Sequence, residues 1–498
     1  MREIDSPDLA MGVVGAGAMG SGIAQVAAVA GIAVTMYDVR DGAAEGARAG
    51  IAKRLARLAE KGKMTEAEAA AAAARVRPAA ALEDMAGCDV VVEAILEDLE
   101  MKTDLFRGLE RIVSPDAILA SNTSSLPIGA IAAGLTERGR IAGLHFFNPV
   151  PLMKLVEVIP GPDTTGAVMD RLMALGRRLG RQPVAVKDTP GFLVNFGGRA
   201  LNTEGLAVVH ETVATPAQVD AVMRDGFGFR MGPFELMDLT GMDVNFPVTR
   251  FIHDSSFGDP RLRSTPLHRY KVETGQLGRK TGRGYFSYAD GAETPSPDAQ
   301  TDAAPAAAVV LHGDAPGLAA LVEECGARVL STDDGAAPIL AALVGEDCSA
   351  YAARTGVDAR RLVACDMISD TTKRVTLMTP PGGDAATRDA VIALFATRRK
   401  VTAIKDSPGF IGQRVAAMVA NLGCEMAQMA LAAPEDIDLA MRLGLNYPKG
   451  PLELTDALGA DVVHRILVTM QSLTGDDRYR PSQWLRRRAQ LGLSARTA

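Results

Sequence analysis

His145 and Glu157 are the residues whose types and spacing point most directly to chemistry. His145 follows the apolar run Ile141-Ala142-Gly143-Leu144, and Glu157 sits inside a second run, Leu155 to Ile159. Between them Pro149 and Pro151 force an extended turn. Two neighbouring strands joined by a stiff turn can set an imidazole and a carboxylate side by side. A carboxylate on one ring nitrogen fixes the tautomer and raises the basicity of the other. That is how a general base working near neutral pH is built. The same residues also fit a core histidine and a solvated edge acid, so the choice turns on the rest of the chain.

The elements that would hold such a pair begin near the N-terminus. Met11 to Val14 reads as a strand, Gly15-Ala16-Gly17-Ala18-Met19-Gly20 opens a small-residue helix, and Ile32 to Tyr37 is a second strand ending at Asp38. Strand, glycine fingerprint, helix, strand and acid stand in the order of a dinucleotide-binding unit. The first glycine makes the turn, the second admits a pyrophosphate and the third lets helix and strand approach. Asp38 would accept hydrogen bonds from a ribose and repel a 2′-phosphate, which favours NAD over NADP. Asp89 to Ile95, Ala117 to Ser121 and Arg140 to Phe146 read as further strands of a mostly parallel sheet, the first of them buried on both faces. Glu97, Ser124, His145 and Asn148 all fall just past strand ends, where open α/β sheets place their ligands. Ser124 also suits a helix cap. Asp41 to Ala74 reads as one long helical stretch on which Lys53, Arg54, Arg57 and Lys61 share a face. Such a stripe fits either a solvated face or a contact to the phosphates of a bulky anionic substrate.

The 498 residues carry a formal net charge of -7 and only 4% aromatics, which argues against nucleic acid and anionic membranes. The five cysteines (Cys88, Cys325, Cys348, Cys365 and Cys424) are scattered, with no CxxC, so neither a disulfide framework nor a metal site is expected. The opening MREIDSPDLAMGVVG has no charged segment followed by a long apolar one. No apolar run reaches membrane-spanning length. The expectation is a soluble cytoplasmic protein.

Beyond Thr164 to Gly180 (helix) and Pro183 to Val186 (strand), the pattern turns helical, from Asn195 to about Phe251, broken at Gly232-Pro233. Ala289 to Pro305 has little to bury and reads as a linker. The chain then repeats itself. Lys187-Asp188-Thr189-Pro190-Gly191-Phe192 returns as Lys405-Asp406-Ser407-Pro408-Gly409-Phe410, and Gly232-Pro233-Phe234-Glu235-Leu236-Met237-Asp238 as Gly450-Pro451-Leu452-Glu453-Leu454-Thr455-Asp456, both at an offset of 218 residues. Arg361 to Met378 faintly echoes Arg140 to Glu157, which sets Asp366 in place of His145 and puts Glu157 near Met378. Gln413 falls in place of Asn195. The fold expected is an N-terminal Rossmann-type α/β domain over 1–186, followed by helical domains: a helical domain over 187–288, a linker over 289–306, a degenerate α/β remnant over 307–400 and a degenerate helical repeat over 401–498.

GAGAMGSGIAQVAAVAG, VVEAILED, ASNTSSLPI, GLHFFNPVPLMKLVEVI, DTPGFLVN, GPFELMD and GRKTGRGYF, taken in that order, resemble the L-3-hydroxyacyl-CoA dehydrogenase family. The resemblance is strong from Met11 to Tyr288 and continues, weakened, through the second half. The layout resembles the family's long bacterial form, the 3-hydroxybutyryl-CoA and 3-hydroxyadipyl-CoA type, of fatty-acid or phenylacetate breakdown. It implies His145 as base, Glu157 as its partner, Ser124 at the substrate oxygen and Asn195 at the substrate carbonyl. It also implies that Gly15, Gly17, Gly20, Asp38, Glu97, Lys102, Ser124, Asn148 and Lys280 touch NAD and that Lys61 contacts the CoA of an acyl-CoA substrate. Where the family usually has arginine after that asparagine, this chain has Phe196. Short members dimerise through the helical domain, so the two repeats here are expected to pack as an internal pseudo-dimer, with further homo-oligomers open and one active site per chain. A sugar-acid dehydrogenase on the same fold, or a non-catalytic NAD-binding scaffold, are the alternatives.

Overall fold

The computed structural model describes residues 2–293 and 295–497; Met1, Thr294 and Ala498, which fall within the expected domain bounds, lie outside the described residues. The chain forms two compact units, Met1–Phe196 with Ala430–Leu445, and Gly197–Met429 with Asn446–Ala498.

The first unit is built on eight strands: β1 (Ala10–Val14), β2 (Ala33–Tyr37), β3 (Val76–Pro78), β4 (Val90–Glu93), β5 (Ile118–Ser121), β6 (Ile141–Phe146), β7 (Leu155–Pro160) and β8 (Gln182–Ala185). Their order is β3-β2-β1-β4-β5-β6-β7-β8, and every pair is parallel except β6 with β7. The chain winds outward from β1 in both directions, so the reversal of strand order falls beside the glycine turn. Val90, Val91 and Val92 are buried, as expected of a central parallel strand covered on both faces.

The long helix expected from Asp41 to Ala74 is two helices, Ala43–Glu60 and Glu66–Ala74. Gly62 takes φ 66° after the first, and Thr65 starts the second. The Glu68 amide donates to the Thr65 hydroxyl at 3.1 Å, and the Thr65 amide donates back to the Glu68 carboxylate at 2.7 Å. This reciprocal cap stops one helix and starts the next more cheaply than continuing through Gly62.

The second unit holds six strands: β9 (Ala308–Leu311), β10 (Arg328–Leu330), β11 (Ile339–Ala342), β12 (Leu362–Cys365), β13 (Arg374–Met378) and β14 (Lys400–Ile404), in the order β10-β9-β11-β12-β13-β14. Only β12 and β13 are antiparallel. The helical segment expected as a separate domain over 187–288 is not one: Leu206, Val219, Phe234 and Met237 share a core with Ile339, Leu362, Ile404 and Phe410. Apolar faces of helices and sheet bury each other, so the expected boundaries at 307 and 401 do not separate cores. The second repeat is also not one body, because Ala430–Leu445 belongs to the first unit. There the Lys187 amide donates to the Leu431 carbonyl at 2.8 Å, and Gly444 approaches Val194 and Leu155 so closely that a Cβ would meet their methyls at about 3 Å. The expected linker is in part docked on β14: the Ala299 amide donates to the Val401 carbonyl at 2.7 Å, and Asp298 pairs with the buried Arg374 at 2.7 Å.

The helix Ile411–Gln428 is the rod of this unit. Of its 18 residues 16 are buried, so no side faces water, and the helices Arg199–His210, Pro451–Leu458, Ala460–Thr474 and Gln483–Leu491 pack around it. Its one arginine, Arg414, is fully buried. It donates to Glu204 on Arg199–His210 at 2.8 Å, to Glu211 at 2.7 Å and to the Tyr479 hydroxyl at 2.8 Å. Turns 218 residues apart take the same form. Gly232 and Gly450 donate to Glu235 and Glu453 at the starts of their helices. Gly241 and Gly459 both have φ 92°. Asp238 and Asp456 each gather donors from a following loop.

Where β12 and β13 echo the His145 region, the register corrects the expected equivalence. Ala364 pairs with Met378 and Cys365 with Leu377, and the Asp366 amide donates to the Thr376 carbonyl at 3.0 Å. Thr376, not Met378, therefore stands opposite Asp366, because the connecting turn is shorter than the one between His145 and Glu157. Asp366 is fully buried and accepts from Ser369 and from Gln413 at 2.9 Å. Burial outweighs these bonds and raises its carboxyl above the ordinary range.

Candidate active site

His145 and Glu157 are direct cross-strand partners on β6 and β7, so their side chains leave the same face of the sheet. The His145 Nδ1 lies 2.6 Å from a Glu157 carboxylate oxygen. Glu157 is fully buried and His145 is 5% exposed. The second Glu157 oxygen accepts from the amides of Leu193 and Val194 at 3.2 and 2.9 Å. These amides open the helix Val194–Gly197, reached through the turn Pro190-Gly191-Phe192, where Gly191 and Phe192 take φ 78° and 49°. The carboxylate is thereby held between a ring nitrogen and two backbone donors. With Nδ1 engaged as donor, the lone pair of the neutral ring sits on Nε2. Phe147 and Phe192 flank the ring at centroid distances of 4.5 and 5.9 Å. The end of β6 is pinned by Asn122, whose side-chain oxygen accepts from the Phe146 amide at 2.8 Å.

Ser124 and Asn195 come together: the Asn195 side-chain amide donates to the Ser124 carbonyl at 3.4 Å. The loop carrying Ser124 is wound about Glu97. One Glu97 oxygen accepts from Thr123 Oγ1 at 2.7 Å, from the Ser124 amide at 2.9 Å and from the Ser125 amide at 3.1 Å. Burial alone would raise the Glu97 carboxyl, but the Thr123 hydroxyl, Lys102 and the Ser124 amide outweigh it and hold it below its ordinary value. Lys102, expected at the cofactor, is 1% exposed, with its ammonium 2.5 Å from Glu93 and 3.3 Å from Glu97. In this arrangement it positions Glu97. Glu93 is the residue that sequence reasoning passed over. An acid inside the apolar run Asp89 to Ile95 needs a buried partner, and Lys102 stands one helical turn into the next helix.

The glycine turn fits a dinucleotide pyrophosphate. Gly15 has φ 105°, and a Cβ there would meet the Ala94 carbonyl oxygen at 2.5 Å. A Cβ on Gly20 would meet the Gly15 oxygen at 1.8 Å, whereas around Gly17 nothing lies within 4 Å. The middle glycine thus faces open space at the start of the helix Ala18–Val29, where backbone amides suit phosphate. Asp38 accepts from the Ala16 amide at 2.7 Å and pairs with Arg40 at 3.0 Å. The Arg40 guanidinium, set against a partial burial penalty and helped by the Ala16 amide, brings the Asp38 carboxyl down to about 2. A carboxyl depressed in the folded chain adds stability above its unfolded value, lost only as pH falls toward 2. Asp38 is therefore charged across the working range, so any change in discrimination against NADP between about pH 5 and 9 should follow the second ionisation of the 2′-phosphate, at about pH 6, and not Asp38. NADP should give kcat/KM at least about tenfold below NAD, a scale of ~1.4 kcal/mol. Parallel kinetics with both cofactors at the two pH extremes test this, and equal efficiencies would remove the ribose role given to Asp38.

Asn148 is exposed beyond β6, and Lys53, Arg54, Arg57 and Lys61 are all exposed on Ala43–Glu60 and its cap. Lys280 lies in the second unit, 2.5 Å from Asp243. Among the described residues, no helix is long and apolar enough to cross a membrane.

Comparison with known proteins bears on the whole chain. The NAD-binding-domain model of 3-hydroxyacyl-CoA dehydrogenase matches residues 10–189, and the C-terminal-domain model of the same family matches 191–288 and 409–498. The chain is 38% identical to 3-hydroxyadipyl-CoA dehydrogenase of Escherichia coli K12, over 96% of this chain and 97% of that one. It is 46% identical to a probable 3-hydroxybutyryl-CoA dehydrogenase of Bacillus subtilis, over 55% of this chain and 96% of the relative. The crystal structure of 3-hydroxybutyryl-CoA dehydrogenase from E. coli K12 superposes with a TM-score of 0.87 at 36% identity, covering 97% of this chain and 98% of that one. With the glycine turn, the strand-end acid and the paired histidine already placed, the chain belongs to the NAD-dependent 3-hydroxyacyl-CoA dehydrogenase family.

Proposed function

We propose that the chain catalyses the reversible oxidation of an L-3-hydroxyacyl-CoA to the 3-ketoacyl-CoA, in fatty-acid or phenylacetate breakdown. The observation that carries this is the His145–Glu157 pair, 2.6 Å apart at the end of β6. The glycine turn and Asp38 would hold NAD, which would supply the acceptor for the hydride leaving the carbinol carbon C3. The protein supplies the rest. His145 Nε2 takes the hydroxyl proton, since Nδ1 is committed to Glu157. The imidazolium so formed is stabilised by a carboxylate that is already oriented by two backbone amides. Ser124 and Asn195 orient the reacting oxygen, and this positioning supplies much of the acceleration. Lys61, which is exposed, would contact the CoA. Loss of NADH absorbance on adding acetoacetyl-CoA tests the activity, and silence would overturn it.

The second half carries no competing site on this reading. Asp366, Thr376 and Gln413 replace the histidine, acid and asparagine, so these positions carry no imidazole paired with a carboxylate. The helical repeats act as an internal pseudo-dimer, supported by the packing of Arg199–His210 on Ile411–Gln428. A tethered partner has an effective concentration on the order of millimolar, so it is always in place. Isothermal calorimetry with NAD should return one site per chain; two would overturn the assignment. Cutting the chain after Asp290 should expose the apolar face and cause aggregation or new dimers, and a soluble, monomeric, fully active fragment would count against the pseudo-dimer.

A further inference from the structure

The turn that serves the catalytic pair runs from Lys187 to Val194. It delivers the amides of Leu193 and Val194 to Glu157, at 3.2 and 2.9 Å, and the Phe192 ring to the flank of His145. Three contacts hold it in place. Asp188 accepts from the amides of Ile128 and Gly129 at 3.0 and 2.9 Å, which ties the turn to the helix that follows the Ser124 loop. The Lys187 amide donates to the Leu431 carbonyl at 2.8 Å. At the far end Val194 lies against Gly444. Leu431 and Gly444 both come from Ala430–Leu445, the piece of the second repeat that belongs to the same compact unit as His145 and Glu157.

Gly444 lies within the helix Pro434–Leu445 and does not take a positive φ. The backbone therefore makes no demand for glycine there, and glycine is among the poorest helix formers. The demand is for space. A Cβ on Gly444 would meet both γ carbons of Val194 at 3.0 Å and a δ carbon of Leu155 at 3.3 Å. Val194 has little freedom to step aside. It is 2% exposed, its β-branched side chain is stiff at χ1, and its own amide is bound to Glu157. Leu155 is fully buried and stands two residues before Glu157 on the same face of β7. An added methyl would therefore shift the Val194 backbone and draw its amide off the buried carboxylate.

The second unit makes the matching contact with no such pair behind it. Lys405 and Val213 stand at the repeat's offset from Lys187 and Leu431, and there the Lys405 amide donates to the Val213 carbonyl at 3.2 Å. Gly226 stands at the same offset from Gly444, and a Cβ on it would meet the Ser369 Cβ at 3.1 Å. We propose that Gly444 is a positioning residue for the catalytic pair: bare of a side chain, it lets Val194 seat its amide on Glu157, so that a segment of the second repeat completes the turn on which the base depends. This goes beyond the catalytic reading above and rests on it.

The test follows oxidation of 3-hydroxybutyryl-CoA by NAD in the full chain. Gly444→Ala should lower kcat about tenfold, short of the roughly hundredfold that a misplacement of about 1 Å can cost. KM for the acyl-CoA should stay within about twofold, since the change acts on the base and not on uniform binding. The acid limb of the pH–rate profile should move to higher pH, because a carboxylate that loses a backbone donor holds the imidazolium proton more tightly. Gly226→Ala crowds the matching contact in the second unit and should leave kcat and the pH profile as they were. Adding Val194→Ala to Gly444→Ala removes the two γ carbons that the new methyl meets and should recover most of the lost kcat. An unchanged kcat in Gly444→Ala, an equal loss in Gly226→Ala, an acid limb that stays or moves to lower pH, or no recovery in the double variant would overturn the positioning role and leave the catalytic reading intact. A wild type that turns over neither 3-hydroxybutyryl-CoA nor acetoacetyl-CoA would overturn both.

Discussion

His145→Gln should lower kcat by at least about a hundredfold, and by up to about ten thousandfold, the range spanned by general acid–base groups, while NAD binding stays as it was. The argument is geometric. Nδ1 is held by Glu157 at 2.6 Å, so Nε2 is the ring atom with a free lone pair, and a glutamine offers no base there. The glycine turn and Asp38 lie at the ends of β1 and β2, away from β6 in the strand order, so the cofactor site is undisturbed. Steady-state turnover of acetoacetyl-CoA with NADH, beside a fluorescence titration of NADH, separates the two effects. Near-normal turnover would refute the base assignment; lost NADH binding would show that the change acted through the fold. Glu157→Gln should cost less rate and shift the acid limb of the pH–rate profile to lower pH, because the imidazolium loses its carboxylate.

Arg414→Met should destabilise the chain by about 3 kcal/mol, near the lower end of the cost of breaking a buried ion pair. Glu204 is fully buried, and without Arg414 it keeps only the Tyr479 hydroxyl at 3.1 Å and the more distant Arg478 at 3.6 Å. Taking the charge off both sides is a different matter. The double change Glu204→Leu with Arg414→Met leaves no orphaned ion and should recover more than half of the loss, since well-packed apolar pairs replace buried ion pairs at little cost. Urea unfolding of the four proteins in a double-mutant cycle measures this. A neutral Arg414→Met, or a double variant no better than the worse single one, would show that the pair does not hold the helices together.

The N-terminal sheet and its ligand end were legible because each strand there is a short apolar run closed by residues of distinct chemistry. His145 and Glu157 could be paired from two strands and a proline-stiffened turn, since antiparallel neighbours place partners on one face. Glu93 and Lys102 were less legible as a pair: the acid stood in plain view in an apolar run, but its partner comes from the following helix. The second half hid more. Helical periodicity in Leu206, Val219 and Phe234 marks an apolar face without saying what covers it, and the cover is a sheet more than a hundred residues later. The turn between β12 and β13 is shorter than its earlier echo, so alignment by residue count alone set Met378 where the register places Thr376. The docking of Ala299 on β14 was invisible because a single backbone hydrogen bond leaves no mark on composition.

Arg414 and Glu204 have counterparts 218 residues away, and these are Phe196 and Leu422, both buried. In an assembly of identical subunits related by a two-fold axis, a substitution on one side is made on the other as well. An ion pair that crosses such an axis is then desolvated twice, and neither copy can be exchanged for an apolar pair without losing both. A single chain carrying both halves is free of that constraint. On the proposed pseudo-dimer one side carries arginine and glutamate and the positions 218 residues away carry phenylalanine and leucine, so the desolvation penalty would be incurred once. On that proposal, covalent joining leaves each side free to change without forcing the same change on the other.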